Sequence, residues 1–355
     1  MDNFGFCKHT EVLTENGWTP IDRVSVGNRC VSYSIEKDIM ELDTVKDVRC
    51  NSSTKMLNVS HKLAGFSCGA DQLWYGWKRM WAKKGQPRGK HYQKFSIPQT
   101  TQEFNIVCSA RYEGGTSSVT PEEAALLSWV LSDGYYSWSK DTKRTSSSFG
   151  KKRGVIGMIA QAQHKFYKEV EEVIDAVGIP YTLHVDSGGV KTSPVNKYHF
   201  KCPPFREFMD KVVGERLPKS LINWDKHILS YREPAIQAFL YNFWLADGDT
   251  KNKMFGGRQT TIVQNVGSVA DAVMLAMFLQ GKRVSAAFKS PTDTKCSTIR
   301  MLKNRHITMQ EVNVASEDTT ETFDILTENG TYVIKQGKHL SITCSSSFNL
   351  KPLDN

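Results

Sequence analysis

The sequence predicts an α+β protein: an all-β frame built from both ends of the chain, interrupted by a mixed helical insert that holds one structural unit twice. Three observations predict this. Both ends alternate apolar and polar residues between turn signals, as strands and hairpins do. The middle carries amphipathic helices bounded by capping residues. And two stretches, ALLSWVLSDGYY (125–136) and FLYNFWLADGDT (239–250), end alike on Asp-Gly, with Asp133 and Asp247 separated by 114 positions. The expected boundaries are 1–115 for the first part of the frame, 116–303 for the insert and 304–355 for the remainder.

In the frame, TEVLT (10–14) reads as a strand, ENGW (15–18) as a turn and RCVSYSI (29–35) as a second strand. Near the other end TFDILTENGTYVI (322–334) reads as strand, Glu-Asn-Gly turn, strand. In the insert, Thr120-Pro121-Glu122-Glu123 is a helix start: a hydroxyl cap, proline at the first position and acids in the first turn. HKFYKEVEEVIDAVG places Phe166, Val170, Val173, Ile174 and Val177 on one face, and SVADAVMLAMFLQG places Val269, Ala272, Val273, Ala276 and Leu279 likewise. Each helix follows a β-like stretch with a glutamine, GMIAQAQ (Gln161) or TTIVQNV (Gln264). From glutamine to terminating glycine, Gly178 or Gly281, the interval is 17 residues both times. A β pattern follows each glycine, IPYTLHV and RVSAAF. Such a duplication implies two similar halves facing each other about a pseudo-twofold axis.

The chain has 355 residues and a formal net charge of +9, which suits a polyanionic partner, nucleic acid first. Eight scattered cysteines without a CxxC pair argue against a zinc site or a disulfide framework. The opening MDNFGFCKHT lacks the basic start and apolar core of a secretory signal, and no apolar run reaches membrane-spanning length. The expectation is therefore no membrane association and a reducing compartment: the cytoplasm of a bacterial, archaeal or phage-infected cell, or the nucleus of a eukaryotic one.

A single Asp-Gly after a helix is an ordinary stop, with glycine in the left-handed cap. Two at equivalent points of a repeat ask for more. An aspartate at a helix C-terminus is disfavoured by about 0.3–1 kcal/mol, and two brought together repel each other. A divalent cation removes both penalties, and oxygen ligands suit Mg²⁺, with Mn²⁺ as the alternative. Ser128 and Ser132 in the first helix, and Asn242 and Ala246 in the second, are small enough for close helix contact.

LLSWVLSDG (126–134) and LYNFWLADG (240–248), together with the matched glutamines, resemble the paired signature of the LAGLIDADG homing endonucleases. The resemblance covers roughly 120–300. It implies two αββαββα units whose sheets lie in the major groove of duplex DNA, in a monomer acting as a pseudo-dimer. It implies Asp133 and Asp247 as metal-binding acids, with Gly134 and Gly248 in the metal site, and Gln161 and Gln264 orienting water or phosphate. It implies a staggered double-strand break in a long asymmetric target. The family often has a lysine three residues before the proline ahead of the second signature helix. Here GERLPKSL puts Glu215 at that place, which leaves Arg216, Lys219 and Lys303 as basic candidates. WKRMWAKKGQPRGKHYQK (77–94) holds seven Lys/Arg and no acid, and nominates Lys78, Arg79, Lys83, Lys84, Arg88, Lys90 and Lys94 for DNA contact, with Trp77, Trp81 and Tyr92 interleaved. Lys151-Lys152-Arg153 is a weaker second patch.

The β-rich ends resemble the Hint fold of inteins, from CKHTEVLTENGWTPIDRVSVGNRCVSYS at one end to ETFDILTENGTYVIKQGKHLSITCS at the other. The resemblance implies Cys7 as an amino-terminal nucleophile and Cys344 as the downstream one. Two parts of that chemistry are missing. GADQLW carries Gly69 and Gln72 where a Thr-x-x-His motif is expected, and Ile342-Thr343 stands where His-Asn is expected. Threonine has no amide to cyclise, so splicing is expected to be lost or severely impaired. The alternatives are a chain still able to splice or to cleave at Cys7, and a sequence-specific DNA-binding protein that no longer cuts.

Overall fold

The computed structural model describes residues 3–61, 64–79, 90–97, 104–138, 155–187, 193–249, 259–288, 294–308 and 312–346. In chain order the first strands are β1 (Glu11–Thr14), β2 (Gly17–Pro20), β3 (Arg29–Ser34), β4 (Ile39–His61), β5 (Ala64–Gly69), β6 (Leu73–Arg79), β7 (Lys90–Ser96), β8 (Phe104–Val107) and β9 (Arg111–Tyr112). Then come α1 (Pro121–Leu131), β10 (Gly134–Trp138), β11 (Val155–Ala162), α2 (Tyr167–Val177), β12 (Tyr181–Asp186) and β13 (Val195–Phe200). They are followed by α3 (Pro204–Val212), α4 (Trp224–Ser230), α5 (Glu233–Asp247), β14 (Gln259–Asn265) and α6 (Ser268–Leu279). The last strands are β15 (Arg283–Phe288), β16 (Cys296–Leu302), β17 (His306–Thr308), β18 (Val312–Thr327), β19 (Thr331–Gln336) and β20 (His339–Cys344). No helix among the described residues is long and apolar enough to cross a membrane.

The chain divides into two compact units. One comprises Met1–Gly114, Met277–Ala287 and Ile299–Asn355; the other comprises Gly115–Ala276 and Phe288–Thr298. Both termini thus belong to one unit, and its strands join in a nine-stranded sheet with the path β18-β4-β3-β1-β19-β20. A second sheet runs β17-β8-β6-β7. Phe6, Val12, Ile21, Trp74, Phe95, Ile325 and Ile334 share one apolar core, where Phe66 and Trp74 rings lie 4.6 Å apart.

The ENGW signal closes the expected hairpin: β1 pairs with β2 from Glu11↔Pro20 to Thr14↔Gly17, and Gly17 supplies the positive φ of 91°. The matching signal near the carboxyl end behaves differently. Its two strands form, but not as a hairpin. β18 runs along β4 while β19 lies between β1 and β20. The turn itself closes locally, with Thr327 Oγ1 donating to Thr331 O at 2.8 Å. The 23-residue β4 offers a long edge that takes up all of β18, with register shifts at Glu317/Thr319, Thr320/Thr322 and Leu326/Thr327.

The other unit contains the four-stranded sheet β10-β11-β13-β12, packed by helices on one face. Helix α1 opens as its sequence dictates. Thr120 Oγ1 accepts from Glu123 N at 3.2 Å, and the Glu123 carboxylate accepts from Thr120 N at 2.9 Å. α2 stops at Gly178, which takes the left-handed conformation at φ 75°. Strands β14, β16 and β15 form a three-stranded sheet in that order.

Thr120→Ala removes half of this reciprocal cap, and urea denaturation should show a loss of about 1 kcal/mol. A change under about 0.3 kcal/mol would mean that the cap is redundant with packing.

Candidate active site

Helix α1 is buried from Ala124 to Leu131 without a break, as a helix apolar on all sides must be. α5 buries Phe239, Leu240, Phe243 and Leu245, and the two helices pack against each other. One polar bond crosses between them: Trp129 Nε1 donates to Asn242 Oδ1 at 2.9 Å. Among the four small residues expected at the contact, Asn242 therefore ties the helices directly. Ser128 and Ser132 instead donate back into α1, to Ala125 O at 2.7 Å and Ser128 O at 2.9 Å.

Both helices terminate at the acids. α1 ends at Leu131 with Ser132 as its cap, so Asp133 stands just beyond, while Asp247 is the last residue of α5. The glycines that follow are not left-handed caps. Gly248 has φ −90°, and Gly134 is absent from the glycines of positive φ. Both are required by crowding. A Cβ on Gly134 would lie 2.6 Å from Met158 O and 2.9 Å from Val130 Cα; one on Gly248 would lie 2.2 Å from Trp244 Cδ1. The ordinary helix-stop account of Asp-Gly fails here, because the backbone turns directly into a strand against its own helix.

The two acids are held in the same way. Gln161 Nε2 donates to Asp133 Oδ2 at 2.9 Å, and Gln264 Nε2 donates to Asp247 Oδ2 at 3.1 Å. In each glutamine the amide oxygen accepts the next residue's N–H, Ala162 at 3.0 Å and Asn265 at 2.7 Å, which directs the nitrogen to the carboxylate. In each copy, too, the glycine after the acid pairs with an isoleucine two residues before the glutamine: Gly134↔Ile159 and Gly248↔Ile262.

Burial raises the pKa of both carboxyls. Asp247 rises to about 6, through burial first and then through the negative charge of Asp133. The two acids therefore feel each other. Lys165 opposes the rise at both, and Lys219 opposes it at Asp247. Lys219 Nζ donates to Leu131 O at 3.2 Å and Gly134 O at 3.3 Å, and burial holds its own pKa below the usual lysine range. Its backbone is pinned as well, since Trp224 Nε1 and Ser268 Oγ both donate to Lys219 O, at 2.7 and 3.3 Å. Lys165 has no motif signal. It stands four residues after Gln161, where the second copy has Ser268.

This donor set fits magnesium. Mg²⁺ is commonly held by one or two carboxylates, with water and substrate phosphate completing its shell. Asp133 and Asp247 supply two desolvated carboxylates at helix ends that already carry partial negative charge. Among the described residues no cluster of three or more His, Cys, Asp or Glu forms a closed cage. The Gly134 carbonyl accepts a hydrogen bond from Lys219 at 3.3 Å.

The remaining basic candidates are engaged elsewhere. Arg216 pairs with Asp210 at 3.4 Å and lies over the Trp138 ring. Lys303 is exposed after β16, in the β-rich unit. Glu215 faces His227 at 3.7 Å. In the basic stretch, Lys78 and Lys90 lie on β6 and β7, with Lys90 Nζ 4.6 Å from the Trp77 ring centroid. Lys94 is not a surface contact: it is partly buried, and burial lowers its pKa. Trp77 is core, and Tyr92 stacks on Tyr75. The Arg79 side chain, Lys83, Lys84, Arg88, Trp81 and the Lys151-Lys152-Arg153 patch lie outside the described residues.

In the β-rich unit the structure gathers Gln72, Thr343 and Cys344. The buried Gln72 amide donates to Thr343 Oγ1 at 2.9 Å and to Cys344 O at 2.6 Å, and accepts Gly5 N–H at 2.8 Å. Cys7 is not part of this group. Its thiol is partly exposed, 3.8 Å from Thr10 Oγ1. Burial pushes the Cys344 thiol up to about 12. Asp324, without a motif signal, is fully enclosed beside it and accepts from Tyr332 OH at 2.6 Å and Ser346 N at 2.9 Å.

No family model matches the chain, and no curated protein does. Solved structures do. Over about half its length the chain is similar to LAGLIDADG homing endonucleases. The homing endonuclease I-DmoI, crystallised with DNA and Mn, is 15% identical, with 52% of this chain and 90% of that chain covered at a TM-score of 0.36. The N-terminal LAGLIDADG domain of DUF199/WhiA is 10% identical, with 52% and 77% covered at 0.31. Full-length DUF199/WhiA from Thermatoga maritima is 12% identical, with 53% of each chain covered at 0.29. Likeness at this level assigns no activity.

The raised Asp247 pKa has a stability consequence. An acid whose folded pKa exceeds its unfolded value supports the fold fully below the unfolded pKa near 4, and that support is lost as pH rises through about 6. Asp247→Asn should therefore stabilise the metal-free protein at pH 7 by about 2 kcal/mol. Thermal denaturation should show the gain vanishing near pH 4; a gain equal at both pH values would assign it to packing.

Proposed function

We propose that this chain is a site-specific DNA endonuclease of the LAGLIDADG homing type, cutting both strands of a long asymmetric duplex target with a stagger. The observation that carries the reading is the twin arrangement of buried carboxylate and glutamine at the ends of two packed helices. Two like acids, each held by the same amide, suit a pair of scissile phosphates. The monomer then acts as a pseudo-dimer.

Each residue has a task that follows from its contacts. Asp133 and Asp247 would hold the divalent cation, Mg²⁺ or Mn²⁺. The glutamine amides each engage one carboxylate oxygen, Oδ2, in both acids. When bound, the ion supplies charge stabilisation at a phosphodiester and a more acidic water. Lys165 and Lys219 add positive charge where negative charge accumulates on the phosphate during cleavage. Lys219 is the better placed of the notional basic partners, because its carbonyl and its ammonium are both fixed. Lys78 and Lys90 contribute phosphate contacts from the β-rich unit.

Incubation with a library of long duplexes and Mg²⁺ tests the reading. Cleavage should stop on chelation of the metal. Asp133→Asn and Asp247→Asn should each lower it at least about 100-fold, and Lys219→Met should lower kcat about 100-fold with little change in DNA binding. Tight, salt-dependent binding without cutting would instead assign a DNA-binding protein that has lost cleavage.

We also infer that the β-rich unit does not splice. Gln72 is a neutral amide that cannot transfer a proton, Thr343 offers a hydroxyl where an amide must cyclise, and the Cys344 thiol is far from ionising at neutral pH. Expressed between two reporter proteins, the chain should yield neither ligated reporters nor cleavage at Cys7. Ligated product would overturn this reading.

A further inference from the structure

The loop 214–223, between α3 and α4, lies mostly on the surface. Gly214, Arg216, Leu217, Pro218, Ser220 and Leu221 are exposed, yet Lys219 in their midst is half-buried. A lysine side chain loses much conformational freedom when it is ordered. Less remains to be lost at a reacting step when the main chain beneath it is already fixed.

That main chain is held by several elements. Trp224 Nε1, at the first position of α4, donates to Lys219 O at 2.7 Å. Ser268 Oγ, at the first position of α6, donates to the same oxygen at 3.3 Å. Tyr136 OH, on β10, donates to Leu217 O at 3.2 Å. Within the loop, Leu221 N closes a turn on Pro218 O at 2.9 Å. At the far end of the side chain, Nζ reaches the carbonyls of Leu131 and Gly134 on either side of Asp133.

The repeat gives Ser268 its meaning. It stands four residues after Gln264, as Lys165 stands four residues after Gln161. Both places lie where a glutamine-bearing strand gives way to its helix, β11 to α2 and β14 to α6. In the first copy this place carries a positive charge that acts on both acids. In the second it carries a neutral hydroxyl, bonded to the carbonyl of another lysine whose charge acts on Asp247. Each repeat thus uses the same position to bring a cation to the acids, the first directly and the second through a hydrogen bond.

We propose that Ser268 and Trp224 are positioning residues: they fix the main chain of Lys219 so that its ammonium stands beside Asp133, and Ser268 thereby does for the second repeat what Lys165 does for the first. Tyr136 steadies the same loop from the first repeat. All three act through Lys219. The inference rests on the endonuclease reading above and assigns to its site the residues that aim the basic group.

The test uses the full chain and a target selected from the duplex library. Trp224→Phe removes one N–H and keeps an aromatic ring in the core; Ser268→Ala removes one hydroxyl. Each should lower the single-turnover cleavage rate about fivefold, the worth of one hydrogen bond, with the Kd for the target unchanged. Ser268→Thr keeps the hydroxyl and should restore the rate. In a Lys219→Met background neither change should cost anything further, because groups that act through one residue are not additive with its removal. Losses that multiply with that of Lys219→Met, or a weaker Kd at unchanged rate, would assign both residues to general packing and overturn the proposal while leaving the endonuclease reading in place. A second measurement needs no DNA: an acylating reagent and mass spectrometry report how fast each lysine reacts. Lys219 should react about fivefold faster in Ser268→Ala and Trp224→Phe than in the parent protein, while the exposed Lys168 on α2 stays unchanged. Unchanged reactivity at Lys219 would overturn the proposal. A parent protein that cuts no duplex would overturn the endonuclease reading and the proposal with it.

Discussion

Two carboxylates, desolvated and within electrostatic reach of each other at the ends of two packed helices, are the constraint around which the insert is organised. Each element of that arrangement works against the charge: the helix termini are partly negative, burial removes water and the acids repel. What holds them is a set of neutral donors and two cations. The glutamine amides bind one oxygen of each acid, the Trp129–Asn242 bond ties the helices, and Lys165 and Lys219 offset part of the repulsion. A fold selected only for stability would have replaced either acid by its amide. Their presence in duplicate, with matching contacts, is what the proposed metal-dependent reading rests on.

The β-rich unit uses the same chemical device to a different end. The Gln72 amide joins Gly5, Thr343 and Cys344 in one buried set of hydrogen bonds. The two ends of the chain are thereby fastened together by a group that cannot shuttle protons. Asp324 fastens the segment beyond Cys344 in a similar way, through Ser346.

Much of the fold was legible because it depends on local pattern. The Thr120 cap, the two amphipathic helices, the glycines that stop them and the strands with their glutamines are written in residues close together in sequence, where propensity and periodicity act. The exception among the local signals was the second Glu-Asn-Gly turn, which makes a turn but not a hairpin, because the partner of β18 is the distant β4.

The sequence by itself singled out the two Asp-Gly ends and the two glutamines, since each is a short motif and its spacing, and these are the residues that the structure joins by hydrogen bonds. Only the tertiary structure decided which cation attends them. Lys219 and Arg216 are three residues apart and equally basic on the page, yet one donates to the carbonyls beside Asp133 and the other turns to Asp210. It also decided why glycine follows each acid. The left-handed cap is a backbone rule that can be read locally, whereas the real cause is a steric one, the approach of Met158 to Gly134 and of the Trp244 ring to Gly248. Contacts between residues far apart in the chain depend on how elements pack, and no short stretch of sequence encodes that distance.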